Sequence, residues 1–139
     1  MYPRSFSPGK RVEGRFSNMI RTLIVDDHNS MRRVVRMLLE RSGEVKVVAE
    51  AQDGAQALRA IEELKPDVVV LDIYMERLDG FEVLSALKKM PDAPKVVMLS
   101  MNDSSAVAQR ALDNGASAFV AKKMAHAELL NAVKSAARS

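Results

Sequence analysis

Asp67-Val68-Val69-Val70-Leu71-Asp72-Ile73-Tyr74-Met75 is the stretch that decides the fold of this chain. Four apolar residues in a row, three of them Val, follow Pro66-Asp67 and end at a carboxylate. A short continuous apolar run reads as a strand buried on both faces, in the middle of a parallel sheet. Asp72 then stands at the carboxyl end of a central strand. Ligands of open α/β sheets bind just outside those ends. A charged residue there is either a cap on the next turn or part of a site.

Strand and helix patterns alternate on both sides of this stretch. Upstream, Thr22–Val25 forms a short buried strand. Asn29 or Ser30 is placed to cap a helix reaching about Arg41, with Met31, Val34, Val35, Leu38 and Leu39 at helical spacing and Gly43 beyond its end. Val45–Ala49 is a second strand, and its polar Lys46 suggests a sheet edge. Asp53 caps a helix that Pro66 stops. Downstream, Asp79-Gly80 opens a helix to about Met90. Lys95–Leu99 is a fourth strand, and Asp103 or Ser104 caps a helix that Gly115 ends. Ser117–Ala121 is a fifth strand, and Ala125 to about Ala137 the last helix. Five βα units with long crossovers imply an α/β fold: a flavodoxin-like (βα)5 doubly wound parallel sheet with strand order 2-1-3-4-5.

The chain of 139 residues has the length of one domain and, at 47% hydrophobic and 28% charged, the composition of a globular protein. With no cysteine it has no disulfide framework, no thiolate metal site and no cysteine nucleophile. No apolar run has transmembrane length, which leaves the cytoplasm as the default location. The net charge of +3 lies entirely in residues 1–19, where Arg4, Lys10, Arg11 and Arg15 face only Glu13; residues 20–139 balance at 17 basic against 17 acidic. Residues 1–19 also carry Pro3, Pro8, Gly9 and Gly14 and read as a flexible basic extension, so the domain proper is 20–139. A neutral domain has no basic field to hold nucleic acid.

In that strand order the first and third strands are neighbours. The first ends in Asp26-Asp27 and the third in Asp72, so the fold brings three carboxylates to one crevice. Close carboxylates repel, and either one is protonated or a cation neutralises them. Mg2+ suits such a set, because it takes oxygen ligands and keeps waters for a phosphate. The alternative is that each Asp merely caps a turn. Ser100 ends the fourth strand and Lys122 follows the fifth. A hydroxyl, a cation and acids at one sheet edge suit phosphoryl transfer to a carboxylate, where the protein positions groups and balances charge. His28 beside the acid pair reads as a polar loop residue, and His126 near a helix start as a solvated one.

These residues resemble the receiver domain of two-component response regulators. The resemblance runs from about Ile20 to Ala137. It rests on Val25-Asp26-Asp27-His28, on Leu71-Asp72-Ile73-Tyr74-Met75 leading to Asp79-Gly80, on Met98-Leu99-Ser100, and on Gly115 through Lys122. The wording is most similar to the nitrate-responsive, helix-turn-helix subfamily with LuxR-type output. The resemblance implies that Asp72 accepts a phosphoryl group from a sensor histidine kinase or a small phosphodonor. It implies that Asp27 and Asp72 ligate Mg2+ with the Tyr74 backbone carbonyl, and that Asp26 acts largely through water. Ser100 and Lys122 would bind the phosphoryl oxygens, and Phe119 would turn inward as Ser100 moves. The switched face would be helix 4, strand 5 and helix 5, with a homodimer on phosphorylation as one outcome. DNA would be reached only through an output domain that this chain does not carry, as in a receiver excised from a longer regulator. Such a domain accepts a phosphoryl group and is not a turnover enzyme.

The sequence departs from the family pattern at three positions. Glu76 stands where Pro is usual, Lys123 replaces a frequent Pro, and Met101 replaces a small residue. Met101 and Tyr74 are expected to shield the acylphosphate from water. Two rivals fail on residues. A haloacid-dehalogenase-type phosphatase needs an acid two residues after the nucleophile, and Tyr74 is there. A flavodoxin-like FMN protein needs a glycine- and hydroxyl-rich phosphate loop after the first strand, where this chain has Asp26-Asp27-His28.

Overall fold

A computed structural model describes residues 18–139 of the protein. The reading of residues 1–19 as a flexible extension therefore falls almost wholly outside the described residues. Five strands form one parallel sheet in the order β2-β1-β3-β4-β5, as the spacing predicts. They are β1 (Ile20–Val25), β2 (Val45–Ala51), β3 (Val68–Asp72), β4 (Lys95–Ser100) and β5 (Ala118–Ala121). Between and after them run α1 (Asn29–Glu40), α2 (Gly54–Leu64), α3 (Gly80–Leu87), α4 (Ser105–Asp113) and α5 (Ala125–Arg138).

Alternation along the strands divides the core in two. Leu23, Val25, Val69, Leu71, Val96 and Met98 face α2, α3 and α4. Ile24, Val68, Val70, Val97, Leu99 and Val120 face α1 and α5. β3 lies in the centre, and every one of its residues is buried, Asp72 included. β2 departs from simple alternation. Its pairing with β1 slips by one residue at Val48: Thr22 pairs with Val47, but Leu23 pairs with Ala49. Val45 and Val47 consequently pack toward α1, whereas Ala49 and Ala51 pack toward α2. The strand runs two residues past the predicted end at Ala49, because the slip lets Ala51 pair with Val25.

The helix starts follow local chemistry. Asp53 accepts a bond from the Gln56 amide, and Ser104, rather than Asp103, accepts one from Val107. Asp79 and Glu82 form a reciprocal capping box. α1 differs: neither Asn29 nor Ser30 caps it. The cap position is His28, which contributes no side-chain bond, and the Asn29 side chain accepts from Arg32 instead. α3 ends at Leu87 and gives way to turn bonds at Lys89 and Met90, short of the predicted end.

The β3–α3 loop closes tightly on itself. The Gly80 amide donates to the Ile73 carbonyl at 2.8 Å, and a Cβ on Gly80 would lie 2.5 Å from the Asp72 carbonyl oxygen. That contact is with backbone, which cannot rotate away. Gly80→Ala should therefore destabilise the fold by about 2 kcal/mol or more through overpacking, read as a lower urea midpoint at unchanged m-value.

Candidate functional site

The carboxyl ends of β1, β3, β4 and β5 converge as the sequence predicts. Asp26 follows β1 and is buried, Asp72 ends β3 and is buried, and Ser100 ends β4 with no exposed surface. Asp27 is half-buried. Lys122 opens a short 3-10 turn after β5 and reaches back over the strand ends. Its Nζ lies 2.9 Å from Asp26 Oδ2 and 3.5 Å from Asp72 Oδ1, with 9% of the side chain exposed. One buried ammonium thus stands between two buried carboxylates, and it does not balance all three.

The imbalance shows in Asp72. Burial, foremost, and the charge of Asp26 push its pKa up to about 6, against the opposing pull of Lys122. It also shows in orphaned oxygens. Asp26 Oδ2 and Asp27 Oδ1 are shut off from solvent, and neither accepts a well-directed hydrogen bond. Lys122 Nζ reaches the first at 2.9 Å, and His28 Nδ1 approaches the second at 2.9 Å. Buried oxygens without directed donors, held by a donor set made of carboxylates, fit a hard divalent cation. Asp26, Asp27 and Asp72, at the ends of neighbouring strands, are the carboxylates that could hold one.

His28 enters this group, although its sequence position suggests a plain loop residue. Its ring is 69% exposed, yet Nδ1 lies 3.3 Å from Asp26 Oδ1 as well as near Asp27. Asp26, Asp27 and His28 together offer ligand atoms within 4.8 Å of one another. The only sequence signal was adjacency. Because His28 is the cap residue of α1, its extended backbone turns the ring back over the acids.

Ser100 Oγ accepts a bond from the Asn102 amide at 3.1 Å, which tucks the hydroxyl under the β4–α4 loop. Phe119, paired with Met98 across β4 and β5, is half-buried against the core cluster on the α2–α4 side. Tyr74 and Met101 sit at the rim with 53% and 78% of their surfaces exposed. Glu76 is exposed and lines a cleft with Asp27, Gln52, Asp53 and Arg77. Arg77 takes the left-handed conformation at φ 68° and brings Nη1 to 3.8 Å from Asp53 Oδ2. Lys123 pairs with Asp103 at 2.8 Å, joining the loops after β4 and β5.

Comparison with known proteins gives this arrangement its family. The response regulator receiver domain matches residues 22–134. The chain belongs to the response regulator receiver domain family. It is similar to a transcriptional regulatory protein named NarL from Mycobacterium tuberculosis, 37% identical over 119 residues that make up 86% of this chain and 55% of that one. The NarL receiver domain structure from that organism superposes with a TM-score of 0.83 at 36% identity, covering 88% of this chain and 98% of the other. The chain is also similar to the chemotaxis protein CheY of Listeria monocytogenes, 35% identical over 120 residues, 86% of this chain and all of CheY. The receiver therefore spans about half the length of the transcriptional regulators it matches. The resemblance to the NarL and LuxR-type regulators holds, as does the flavodoxin-like receiver fold. Among the described residues, no helix is long and apolar enough to cross a membrane.

Asp72 is a charge that the metal-free fold tolerates poorly. Its folded pKa is above its unfolded one, so the folded state holds the proton more tightly. This contribution to stability is full below the unfolded value and is lost as pH rises through about 6. Asp72→Asn should then make the metal-free protein more stable at pH 7, by on the order of 2 kcal/mol. The gain should shrink toward pH 4 and be smaller in saturating Mg2+, all readable by urea unfolding.

Proposed function

We propose that this receiver is a phosphoacceptor: a carboxylate oxygen of Asp72 attacks the phosphorus of a phosphorylated histidine kinase, or of a small acyl phosphate. A new P–O bond forms as the bond from phosphorus to the donor breaks, and the donor leaves with that electron pair. The observation that carries the reading is the convergence of Asp26, Asp72 and Lys122 in one buried pocket at the sheet edge.

Each residue has a task that follows from its position. Asp26, Asp27, Asp72 and the Tyr74 carbonyl would hold Mg2+, with Asp26 acting largely through water. Bound there, Mg2+ would offset the carboxylate charge and draw in the phosphoryl oxygens. Lys122, freed from its carboxylate neighbours by that offset, is placed to bind a phosphoryl oxygen. The Ser100 hydroxyl can give up its bond from Asn102 and donate to another oxygen, moving the β4–α4 loop. Phe119, half-buried and paired with Met98 two residues before Ser100, would turn further in as that loop moves. The outcome is a population shift of the face built by α4, β5 and α5. The pair joining Lys123 to Asp103 spans the same two loops and is exposed, so it adds little resistance.

The relatives that share the receiver and are named transcriptional regulators support a transcriptional output, reached through a further module and its DNA. A homodimer through the switched face is the corresponding signal. The group transfer is stoichiometric and confined to Asp72, so the domain signals rather than turns over external substrates. A sensor histidine kinase partner and a cytoplasmic setting follow from that role.

Incubation with acetyl phosphate and Mg2+ should add one phosphoryl mass to the intact protein. Asp72→Asn and a metal-free control should show none; an adduct that survives in the variant would overturn the assignment. Tyr74 and Met101, exposed in the free domain, would fold across a phosphorylated Asp72. Met101→Ala should then shorten the lifetime of the phosphorylated form several-fold, followed by the decay of the adduct mass. An unchanged lifetime would remove the shielding role.

A further inference from the structure

The loop that carries Asp26 and Asp27 is held from behind by one side chain. Arg32, in the first turns of α1, is 12% exposed. Its Nη1 donates to the Asp26 backbone carbonyl at 2.5 Å, its Nη2 donates to Asn29 Oδ1, and its Nε donates to Glu50 Oε1 at 2.9 Å. The three bonds fan out from one planar fork to the end of β1, the start of α1 and β2. Glu50 is fixed in turn by Arg36, whose Nη1 meets Oε2 at 2.6 Å.

Glu50 is available to Arg32 only because of the register slip in β2. Were Val48 paired in regular alternation, Ala49 and Ala51 would share the face of Val45 and Val47, and Glu50 would point toward α2. With the slip, Glu50 pairs with Ile24 and lies on the side that carries α1. An irregularity in an edge strand thus supplies the anchor for the guanidinium that grips the acid loop.

We propose that Arg32, anchored by Glu50, is the positioning residue of the cation pocket, setting the direction of the Asp26 and Asp27 carboxylates. This rests on the phosphoacceptor reading of that pocket. The physical case is that Asp26 and Asp27 repel each other and Asp72, so their loop must be held against opening. The Asp26 carbonyl belongs to the peptide that joins the two acids, and Arg32 fixes it with a charge-assisted bond. Lys cannot replace the fork, because a single ammonium reaches one direction where the guanidinium reaches three.

The test is Mg2+ affinity by calorimetry, beside metal-free thermal unfolding and hydrogen exchange of the loop peptide covering residues 26–29. Removing an outer support of a metal site costs about 10- to 100-fold in affinity, so Arg32→Lys should weaken Mg2+ binding about 10-fold and speed exchange in the loop. Val34→Ala, on the same helix but outside the network, should lower the unfolding temperature and leave the affinity within about twofold, since distant sites act independently. Glu50→Gln keeps an acceptor for Arg32 and should bind Mg2+ like the wild type; Glu50→Ala should bind it about threefold or more weakly, through the same outer support. An Arg32→Lys affinity within twofold of the wild type would overturn the inference. If Arg32→Lys does not fold, equal affinities in Glu50→Ala and Glu50→Gln overturn it instead. Wild-type protein that takes up no Mg2+ would defeat the phosphoacceptor reading, and the inference with it.

Discussion

The rest of the structure turns on the repulsion among three carboxylates, two of which share one lysine. Asp26, Asp27 and Asp72 stand at the ends of adjacent strands, and among the described residues Lys122 is the ammonium placed between two of them. In water such a group of charges would disperse. Here β1 and β3 are locked side by side from Thr22–Val68 to Val25–Leu71, so the acids cannot separate without unzipping the centre of the sheet. The cost is carried as a raised pKa on Asp72 and as buried oxygens without directed donors. A site under that tension would gain from a cation, which is what the proposed phosphoacceptor role calls for.

The surrounding elements make sense as devices that keep this arrangement in place. Gly80 lets the chain after Asp72 fold back within a Cβ's reach of its own backbone, and Gly54 does the same where α2 meets Leu78 of that loop. The apolar residues of β3 supply rigidity: Val68, Val69, Val70 and Leu71 are essentially without exposed surface, and they hold Asp72 at a fixed depth. By contrast, α4 buries only Ala111. A rigid centre beside a lightly buried α4 suits the proposed switch, in which a binding event at a stiff site would be expressed at a soft one.

Much of this was legible from residue pattern. A run of four apolar residues can only be a doubly covered strand here, and alternation with helical spacing fixes the order of the rest. That is why the sequence alone places Asp26, Asp27, Asp72, Ser100 and Lys122 at one edge of the sheet. What was not legible depends on local geometry that pattern does not encode. The slip at Val48 changes which face Glu50 takes, yet Val-Lys-Val-Val-Ala-Glu-Ala reads as an ordinary strand. Asn29 looks like a cap because Asn commonly is one; Arg32 claims its side chain, and His28 takes the cap position. The ring of His28 then falls beside the acids for a reason that only the backbone of the cap supplies.

The most direct test of the central claim, that these acids form a cation-dependent phosphoryl site, is 19F NMR of beryllofluoride added to the full chain. The account expects a bound fluoride signal in wild-type protein with Mg2+, none without the metal, and none in Asp72→Asn. A bound signal that persists without divalent cation, or in the variant, would contradict it. So would folded wild-type protein that shows no bound signal at saturating Mg2+.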